Sequence, residues 1–364
     1  TFSYKIDNPC RADLTCIIKN KYGKVEMSTS FSSNHNFSKG FFYVADGTFN
    51  FYDTEKKTAY QDCYASLNAG KTLGIGNYDS ANIIHSNGKF YLLVGTSTSN
   101  RDHFYIVDAK TLYYENSAVV GANLSGLTIL NEQYGLVTGD GIRRIDLKSL
   151  NNVRIKNERL LCFYNSIIYN GKVLSNDTYK DESKVKYYDV NELIAAKEGE
   201  APAVTELDII QKQKINFVLA KDGNVYTLES ADNGCNIVKI KNDFTLEKVF
   251  ANFQPAKGPY HSSPTIGMVA SETENIIYLV STDGAIYKYI LGDSDSLKAP
   301  FIAAESGVSI TAPLQLNQQS GELYVTYTEE LKDESKIVVY SKDGKVLHTV
   351  DCGESVPSQI LFNN

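Results

Sequence analysis

The 364-residue sequence predicts an all-β fold, a β-propeller of about eight four-stranded blades that forms a single domain over residues 1–364. Three observations predict it. Turn dipeptides that contain Gly recur along the chain, one strand pattern repeats at the spacing of propeller blades, and the two ends of the chain carry complementary patterns. A pair of β-sandwich domains and a β-solenoid are the alternatives, but a pair of sandwiches does not predict a blade divided between the termini, and a solenoid needs shorter repeats.

Eight dipeptides of the Asp-Gly or Asn-Gly type divide the chain. Such pairs tolerate the positive φ values that tight hairpin turns require. Most of them stand between short runs rich in Val, Ile, Tyr and Phe, so they predict many β-hairpins. The eight are Asp46-Gly47, Asn87-Gly88, Asp140-Gly141, Asn170-Gly171, Asp222-Gly223, Asn233-Gly234, Asp283-Gly284 and Asp343-Gly344.

A strand that ends in a pair such as Tyr-Asp, Ile-Asp or Lys-Asn recurs eight times. Successive copies lie about 34 to 54 residues apart, which is the range of propeller blades. We therefore predict eight blades, with seven as the alternative if residues 1–30 form a separate hairpin. The copies lie near Leu14–Asn20, Thr48–Thr54, His103–Asp108, Gly141–Leu147, Val185–Val190, Asn236–Asn242, Ala285–Ile290 and Lys336–Lys342.

The two termini predict how the ring closes. Ser355–Phe362 is similar to the blade starts Ser309–Leu316 and His261–Gly267, whereas residues 1–30 supply only the later strands of a blade. We expect the C-terminal strand to join this N-terminal blade from inside, which removes a free sheet edge. Asn191–Lys197 is the one segment with a helical pattern, and we place it in an outer loop.

Composition excludes several classes of partner. The net charge of −7 and the scattered positive residues argue against nucleic-acid binding, and an acidic surface does not attract anionic lipid. No stretch approaches the ~20 apolar residues of a membrane-spanning helix. The six cysteines are widely scattered, so we expect buried free thiols, with a bridge from Cys352 to Cys10 or Cys16 as the alternative. We expect a monomer.

Sequence motifs for catalysis or cofactor binding are absent. The five histidines form no metal-type pattern, and neither a phosphate-binding loop nor a nucleophile elbow occurs. The acidic stretches Asp293-Ser-Asp295 and Asp177 to Glu182 lack the spacing of a calcium loop. We therefore expect no metal, no cofactor and no catalytic residue.

The loops that enter the inner strands and the middle hairpin turns are predicted to meet at one face, around the mouth of the central channel. Ligands of ring proteins usually bind where such loops converge. Tyr and His offer a flat ring with a polar tip, which suits sugars, flat cofactors or peptides. The candidate ligand-binding residues are His35, Tyr78, Asn100, Arg101, His103, Tyr164, Tyr260 and His261.

Two pairs of blade-like segments carry a family resemblance: Phe90–Val94 with Phe104–Asp108, and Leu323–Tyr327 with Ile337–Tyr340. With them the chain resembles the secreted YncE-like and quinoprotein-like propellers, in particular the surface-lipoprotein propellers of gut anaerobes. The resemblance implies an extracytoplasmic protein of the cell surface or periplasm with a lipid anchor. The chain begins at Thr1 without a signal segment, as a mature or shortened chain would.

The resemblance also bears on the ligand. One branch of these surface propellers binds corrinoids and works with an outer-membrane transporter, but no motif of that branch occurs here, so the ligand is not transferred to this chain. Eight-bladed quinone-dependent dehydrogenases use Trp-docking repeats and a calcium site. This sequence contains no Trp, which argues against that activity and against a Trp-Asp repeat propeller.

Three functions follow as hypotheses. The first is a non-enzymatic binding propeller for a small molecule, a glycan or a surface protein, with an outer-membrane transporter as a further partner; the lack of a catalytic cluster favours it. The second is a saccharide hydrolase or lyase that uses His261 or His103 beside Tyr and Asp. The third is a structural component of a cell-surface complex.

Overall fold

Seven antiparallel sheets, the blades of a β-propeller, and one separate hairpin form the part of the chain that the structure describes. The structure is a computed structural model. Its described residues are 11–20, 23–32, 36–68, 73, 80–95, 101–139, 141–156, 166–176, 183–200, 202–211, 216–256, 267–329 and 334–363. Among these residues, no helix has the length and apolar character needed to cross a membrane.

The hairpin and the first three blades use the first half of the chain and its last strand. The hairpin pairs β1 (Arg11–Asn20) with β2 (Gly23–Ser32). From inside to outside, blade 1 contains β30 (Pro357–Leu361), β3 (Gly40–Ala45), β4 (Thr48–Asp53) and β5 (Thr58–Tyr60). Blade 2 contains β6 (Ser80–Ser86), β7 (Lys89–Gly95), β8 (Asp102–Asp108) and β9 (Tyr114–Gly121). Blade 3 contains β10 (Leu124–Ile129), β11 (Tyr134–Gly139), β12 (Gly141–Asp146) and β13 (Asn152–Lys156).

The remaining four blades follow in chain order. Blade 4 contains β14 (Ile167–Tyr169), β15 (Lys172–Asn176), β16 (Ser183–Asp189) and β17 (Val204–Gln211), and blade 5 contains β18 (Val218–Leu219), β19 (Val225–Ala231), β20 (Gly234–Ile240) and β21 (Leu246–Phe253). Blade 6 contains β22 (Met268–Ala270), β23 (Ile276–Val280) and β24 (Ile286–Ile290), with a single bridge from Ile286 to Ile302 at the position of a fourth strand. Blade 7 contains β25 (Val308–Ile310) and β26 (Gln315–Leu316) at the inside, then β27 (Leu323–Glu329), β28 (Glu334–Tyr340) and β29 (Val346–Gly353).

The prediction of eight blades is wrong, and seven, the stated alternative, is the observed number. Seven of the eight repeat copies coincide with the third strands of the blades: β4, β8, β12, β16, β20, β24 and β28. The first copy, Leu14–Asn20, lies instead in β1, which pairs with β2 in a two-stranded sheet. The strands of a two-stranded hairpin show the same alternation of side chains as the strands of a blade. The repeat pattern therefore predicted one blade too many. The assignment of one domain over residues 1–364 stays a prediction.

The C-terminal strand lies inside blade 1. It is antiparallel to β3, so the expected partner, residues 1–30, is wrong. Two side chains near the end of the chain also reach the neighbouring blade 2. The Nε2 of Gln359 donates to the carbonyl oxygen of Ile83 (2.7 Å), and the Nδ2 of Asn363 donates to the carbonyl oxygen of Ala109 (2.7 Å). The last residues of the chain therefore connect two blades that begin near its start.

All eight turn dipeptides lie at or beside the connection between two paired strands, as predicted, although Asp140 itself is outside the described residues. Three of them have positive φ at both positions: Asp46-Gly47 (44° and 76°), Asn87-Gly88 (51° and 70°) and Asn170-Gly171 (47° and 71°). Two successive positive values define the type I′ turn, whose twist matches that of the flanking strands. The dipeptides therefore set the register of these hairpins.

The hydrophobic core lies between adjacent blades. Between blades 1 and 2, the fully buried Phe42 contacts the rings of Phe49 (5.1 Å between centroids), Phe51 (5.0 Å) and Phe90 (5.3 Å, edge to face). Aromatic pairs in such geometry stabilise a core beyond the area that they bury. The large use of Phe and Tyr in this chain thus fills the space where two sheets face each other.

Among the side chains that the structure describes, three cysteines are free thiols: Cys63 and Cys235, which are buried, and Cys352, which is partly buried. Burial raises the pKa of Cys63 and of Cys352 to about 12, so both are protonated at neutral pH. The expectation of free thiols is confirmed for these three, and the alternative bridge from Cys352 is wrong. Cys10 and Cys162 lie outside the described residues.

A short helix interrupts the outer part of blade 4. Helix α2 (Val190–Ala195) lies within one or two residues of the predicted segment Asn191–Lys197. Its N-cap Asp189 accepts hydrogen bonds from the backbone N–H groups of Asn191 and Glu192, which satisfies two donors of the first turn. Two other short elements, helix α1 (Cys63–Leu67) and a 3-10 turn, were not predicted because four or five residues show no helical period.

The C-terminal end of α2 is capped by a side chain from blade 3. The Nη1 of Arg144 donates to the carbonyl oxygens of Ile194 and Ala196, and its guanidinium lies 5.1 Å from the ring centroid of Tyr134. A cation is favourable here because the last carbonyls of a helix carry partial negative charge. Arg144 therefore connects blades 3 and 4.

We expect Arg144→Met to lower the free energy of unfolding by about 1–3 kcal/mol, since it removes charge-assisted hydrogen bonds to carbonyls that keep no equivalent donor. Arg144→Lys keeps the charge but not the fork of donors, so its loss should be smaller. Urea unfolding of the three proteins measures both values. A Met variant as stable as the parent would contradict the role of this contact.

Candidate functional site

One face of the ring is defined by the strand directions. In each blade, the turn between the second and third strands lies at the same end of the sheet as the connection that enters the innermost strand of the next blade. We call this end the mouth face. In blade 6 the turn is residues 281–285, and the connection into blade 7 is residues 303–307. The turns between first and second strands lie at the opposite face.

Two of the eight predicted ligand-binding residues, Arg101 and His103, are described. They lie together at the mouth face because they flank the first residue of β8. The other six are outside the described residues, and the ligand-binding assignment of all eight stays a prediction. Those six are His35, Tyr78, Asn100, Tyr164, Tyr260 and His261.

Asp102 lies between Arg101 and His103 and is buried, and the sequence analysis did not select it. Only 3% of Asp102 is exposed, and its Oδ2 accepts the backbone N–H of Leu124 at 2.5 Å. It thereby fixes the entry into the inner strand of blade 3. The ring of His103 instead stacks on Tyr105 (5.9 Å between centroids), and Arg101 is exposed. The carboxylate of Asp102 thus contacts backbone, which is a structural role.

A chain of hydrogen bonds between buried and partly buried groups holds the mouth face across blades 4 to 6. The Nδ2 of Asn176 donates to the Oε1 of Gln211 (2.6 Å), and the Nε2 of Gln211 donates to the Oγ1 of Thr227 (2.9 Å). That hydroxyl donates to the carbonyl oxygen of Asn216 (3.0 Å). The Asn216 amide then bonds both the N–H (2.9 Å) and the carbonyl oxygen (2.6 Å) of Met268. The entries into the inner strands of blades 5 and 6 are therefore fixed relative to each other.

A cleft of about 480 Å³ opens at the mouth face between blades 6 and 7. One wall is the turn Val280–Gly284 of blade 6, the other is the segment Ala304–Ile310 that enters blade 7, and Ala256 lies beside them. The apolar lining side chains are small, those of Ala, Val and Ile, while hydroxyl and carboxylate groups provide the polar contacts. Among the described residues, the lining side chains include no Lys, Arg or His and no aromatic ring.

Asp283 is the charged group of the blade 6 wall. Its Oδ1 accepts hydrogen bonds from the Ser281 hydroxyl and from the backbone N–H of Ala285 (3.2 Å). These bonds hold the pKa of the Asp283 carboxyl below its ordinary value, with the Ser281 bond as the largest cause. The wall is therefore negatively charged at neutral pH, and its carboxylate is held in place by the turn.

Glu305 is the charged group of the blade 7 wall. Beneath it, the hydroxyls of Tyr327 and Tyr340 lie 3.0 Å apart in a buried pair. Burial raises the pKa of both phenols, and the negative charge of Glu305 raises each of them further. The side chain of Glu305 itself is exposed to solvent. The cleft thus has a carboxylate on each side.

The sequence analysis missed both carboxylates. It used Asp283-Gly284 only as a turn signal, and Glu305 lies in a segment without strand periodicity. One sequence feature does indicate the second wall. Ala303–Gly307 is a run of small residues around a single carboxylate, at the entry to a blade.

Within the described ranges, no group of three or more His, Cys, Asp and Glu could hold a metal ion. Of the acidic stretches noted in the sequence, Asp293 caps a 3-10 turn through the N–H of Asp295 (3.0 Å), and Asp295 pairs with Lys298 (2.9 Å). Asp177–Glu182 lies outside the described residues.

Fold and cleft together define this chain as a seven-bladed β-propeller with an acidic cleft at its mouth face. It belongs to the family described as "domain of unknown function (DUF5074)", whose model matches residues 37–363. The match thus covers the ring and leaves out the hairpin of β1 and β2. No curated protein sequence matches the chain.

Solved structures extend the comparison. The chain is similar to a quinonprotein alcohol dehydrogenase-like protein from Bacteroides thetaiotaomicron VPI-5482: the identity is 99%, the match covers 100% of this chain and 87% of that one, and the TM-score is 0.95. A functionally unknown protein from Desulfotomaculum acetoxidans DSM 771 is 13% identical with a TM-score of 0.56, over 89% of this chain and 99% of that one, which shows the fold alone. The resemblance to quinoprotein-like propellers is therefore confirmed, whereas the YncE-like and surface-lipoprotein assignments stay predictions.

Proposed function

We propose that this propeller is a non-enzymatic binding protein that captures its ligand at the mouth face, in the cleft between blades 6 and 7. The cleft itself carries the proposal. Its volume of about 480 Å³ lies within the range of small-molecule sites, ~300–1,000 Å³, and its exposed lining is mainly polar, with Ser and Thr hydroxyls and the carboxylates of Asp283 and Glu305.

The chemistry of the cleft supports binding over catalysis. A saccharide hydrolase needs a carboxylic acid with a raised pKa to protonate the leaving group. The pKa of Asp283 is instead lowered by its bonds to Ser281 and Ala285. The Ser281 hydroxyl bonds both the Asp283 carboxylate and the carbonyl oxygen of Ala285 (3.0 Å), so it belongs to the turn, and the described lining residues include no His or Lys that would complete a nucleophile–base pair.

The same proposal includes a location and a class of partner. We place the protein outside the cytoplasm, at the cell surface or in the periplasm, with a lipid anchor and an outer-membrane transporter as its partner. The support is the resemblance to surface-lipoprotein propellers. Protease treatment of intact cells that express the full-length gene, followed by co-purification from their membranes, tests both points. Full protection of the protein in intact cells would contradict the surface location.

Ligand capture is tested first by thermal shift against corrinoids, glycans and peptides, and then by a variant that fills the cleft. Ser306 is exposed in the blade 7 wall, so we expect Ser306→Trp to place an indole in the cleft and to weaken binding of the strongest compound about tenfold, or about 1.4 kcal/mol. Isothermal titration calorimetry measures the change.

The matched control is Ser320→Trp. Ser320 is an exposed serine in the turn between β26 and β27, at the opposite face of blade 7. This variant should bind as the parent does. Equal binding by both variants would show that the ligand binds outside the cleft. A panel without any thermal shift would contradict capture of these ligand classes.

A further inference from the structure

The hairpin of β1 and β2 is not part of any blade, and among the described residues its two strands pair only with each other. An isolated two-stranded hairpin is at best marginally stable in water, so one of its faces needs a further apolar surface. We propose that this surface is the hairpin of a second copy of the chain, and that the two hairpins pack face to face in a homodimer. This inference is independent of the cleft between blades 6 and 7.

The register of the hairpin separates apolar positions from charged ones. Successive residues of a strand belong to opposite faces, so the cross-strand pairs fall into two sets. One set is mostly apolar and contains no charge, and its pairs include Leu14 with Thr29, Cys16 with Met27 and Ile18 with Val25. The other set contains every charged residue of the two strands: Arg11, Asp13, Lys19, Lys24 and Glu26. One face can therefore be buried without burying a charge.

Exposure is described for two residues of the hairpin, Ile17 and Lys24, and both belong to the charged face. Both are exposed, Ile17 by 48%. The charged face is therefore the solvent face of the hairpin, and the apolar face is the one left for a partner.

Among the described residues, the ring offers this apolar face no free sheet face to pack on. Each of the seven spaces between neighbouring blades is filled by a cluster of buried apolar side chains. The family model begins at residue 37, so the hairpin is not part of the common fold of the ring. A second copy carries an identical apolar face and can meet it through a two-fold axis, the commonest symmetry of homodimers.

The size of the apolar face predicts a weak dimer. Each strand has ten residues. At a rise of ~3.4 Å and a width of ~10 Å for two strands, two facing hairpins cover about 700 Å² of flat area, and the accessible surface is larger because side chains make it rough. Specific interfaces begin at about 1,000–1,200 Å² of total accessible surface. The contact is at the small end of that range, and we expect a Kd of about 10 µM.

Sedimentation velocity of the full chain, at concentrations from about 1 to 200 µM, tests the dimer. Ile18→Asp and Ile17→Asp are matched variants, because these adjacent isoleucines of β1 belong to opposite faces. Ile18→Asp places two carboxylates in the apolar contact, so we expect the Kd to rise at least about tenfold, whereas Ile17→Asp should stay within about twofold of the parent. Removal of residues 1–32 should give a monomer.

Circular dichroism melting of each variant checks that the ring stays folded. A parent chain that is monomeric at about 200 µM, as the sequence predicts, would overturn the proposal. A chain without residues 1–32 that still forms the dimer would overturn it as well. Equal dimerisation of the two isoleucine variants would show that the apolar face is not the contact.

Discussion

Removal of residues 355–364 should abolish the cooperative thermal transition of the ring. These residues include β30, whose Pro357, Ile360 and Leu361 are buried and whose backbone pairs with β3. Loss of two large buried aliphatic side chains alone costs about 4–10 kcal/mol, which is comparable to the whole stability of a typical domain. The free edge of β3 would add a site for aggregation. Circular dichroism melting and size-exclusion chromatography measure both effects.

The control is removal of residues 1–32, which takes away the two-stranded hairpin. Because β1 pairs with β2 and not with a blade, we expect the ring to keep a cooperative transition at nearly the parent's melting temperature. The two deletions thus separate the observed closure at blade 1 from the closure with residues 1–30 that the sequence predicted. An equal loss of stability in both would contradict the observed closure.

Phe42→Ala should lower the free energy of unfolding by about 3–5 kcal/mol, the cost of truncating a buried aromatic side chain. Phe42 has no exposed surface and touches the rings of Phe49, Phe51 and Phe90, so its removal leaves a cavity at the contact of blades 1 and 2. Unfolding in guanidinium chloride, with the slope checked against the parent, gives the value.

Val346→Ala serves as the comparison for Phe42→Ala. Val346 begins the outer strand of blade 7 and is 58% exposed, so its truncation should change the stability by less than about 0.5 kcal/mol. If the two variants lose similar stability, the space between blades 1 and 2 is not the dense core that the structure describes.

Most of the ring could be predicted from the sequence because blades obey local rules. A third strand such as β12 or β28 is paired on both sides, contains β-branched residues and lies next to a tight turn that contains Gly. The outermost strand of a blade is harder to predict from the sequence. In blade 6 the segment after β24 forms a 3-10 turn at Ser294–Leu297 and a single bridge at Ile302, since an outermost strand has one partner only. The count of eight failed because β1 shows blade-like alternation without a blade.

The cleft could not be predicted in the same way. Its walls come from a turn of blade 6 and a segment that enters blade 7, and their contact depends on how two sheets pack. Loops have no period that would mark which residues face each other. Asp283 is an example. Its side chain both stabilises a turn and contributes a negative charge to the cleft, and the role in the turn is enough to explain an Asp at this position in the sequence. Glu305 has no such local role, so no sequence rule selected it.

The central claim, that ligand binds in the cleft between blades 6 and 7, is tested most directly by hydrogen exchange with the compound that gives the largest thermal shift. Bound ligand should slow exchange in residues 281–285 and 304–310, which form the two walls. The turns at residues 220–224 and 317–322, at the opposite face, should exchange as in the free protein. Slower exchange confined to those opposite turns, or to blades that do not border the cleft, would contradict the claim.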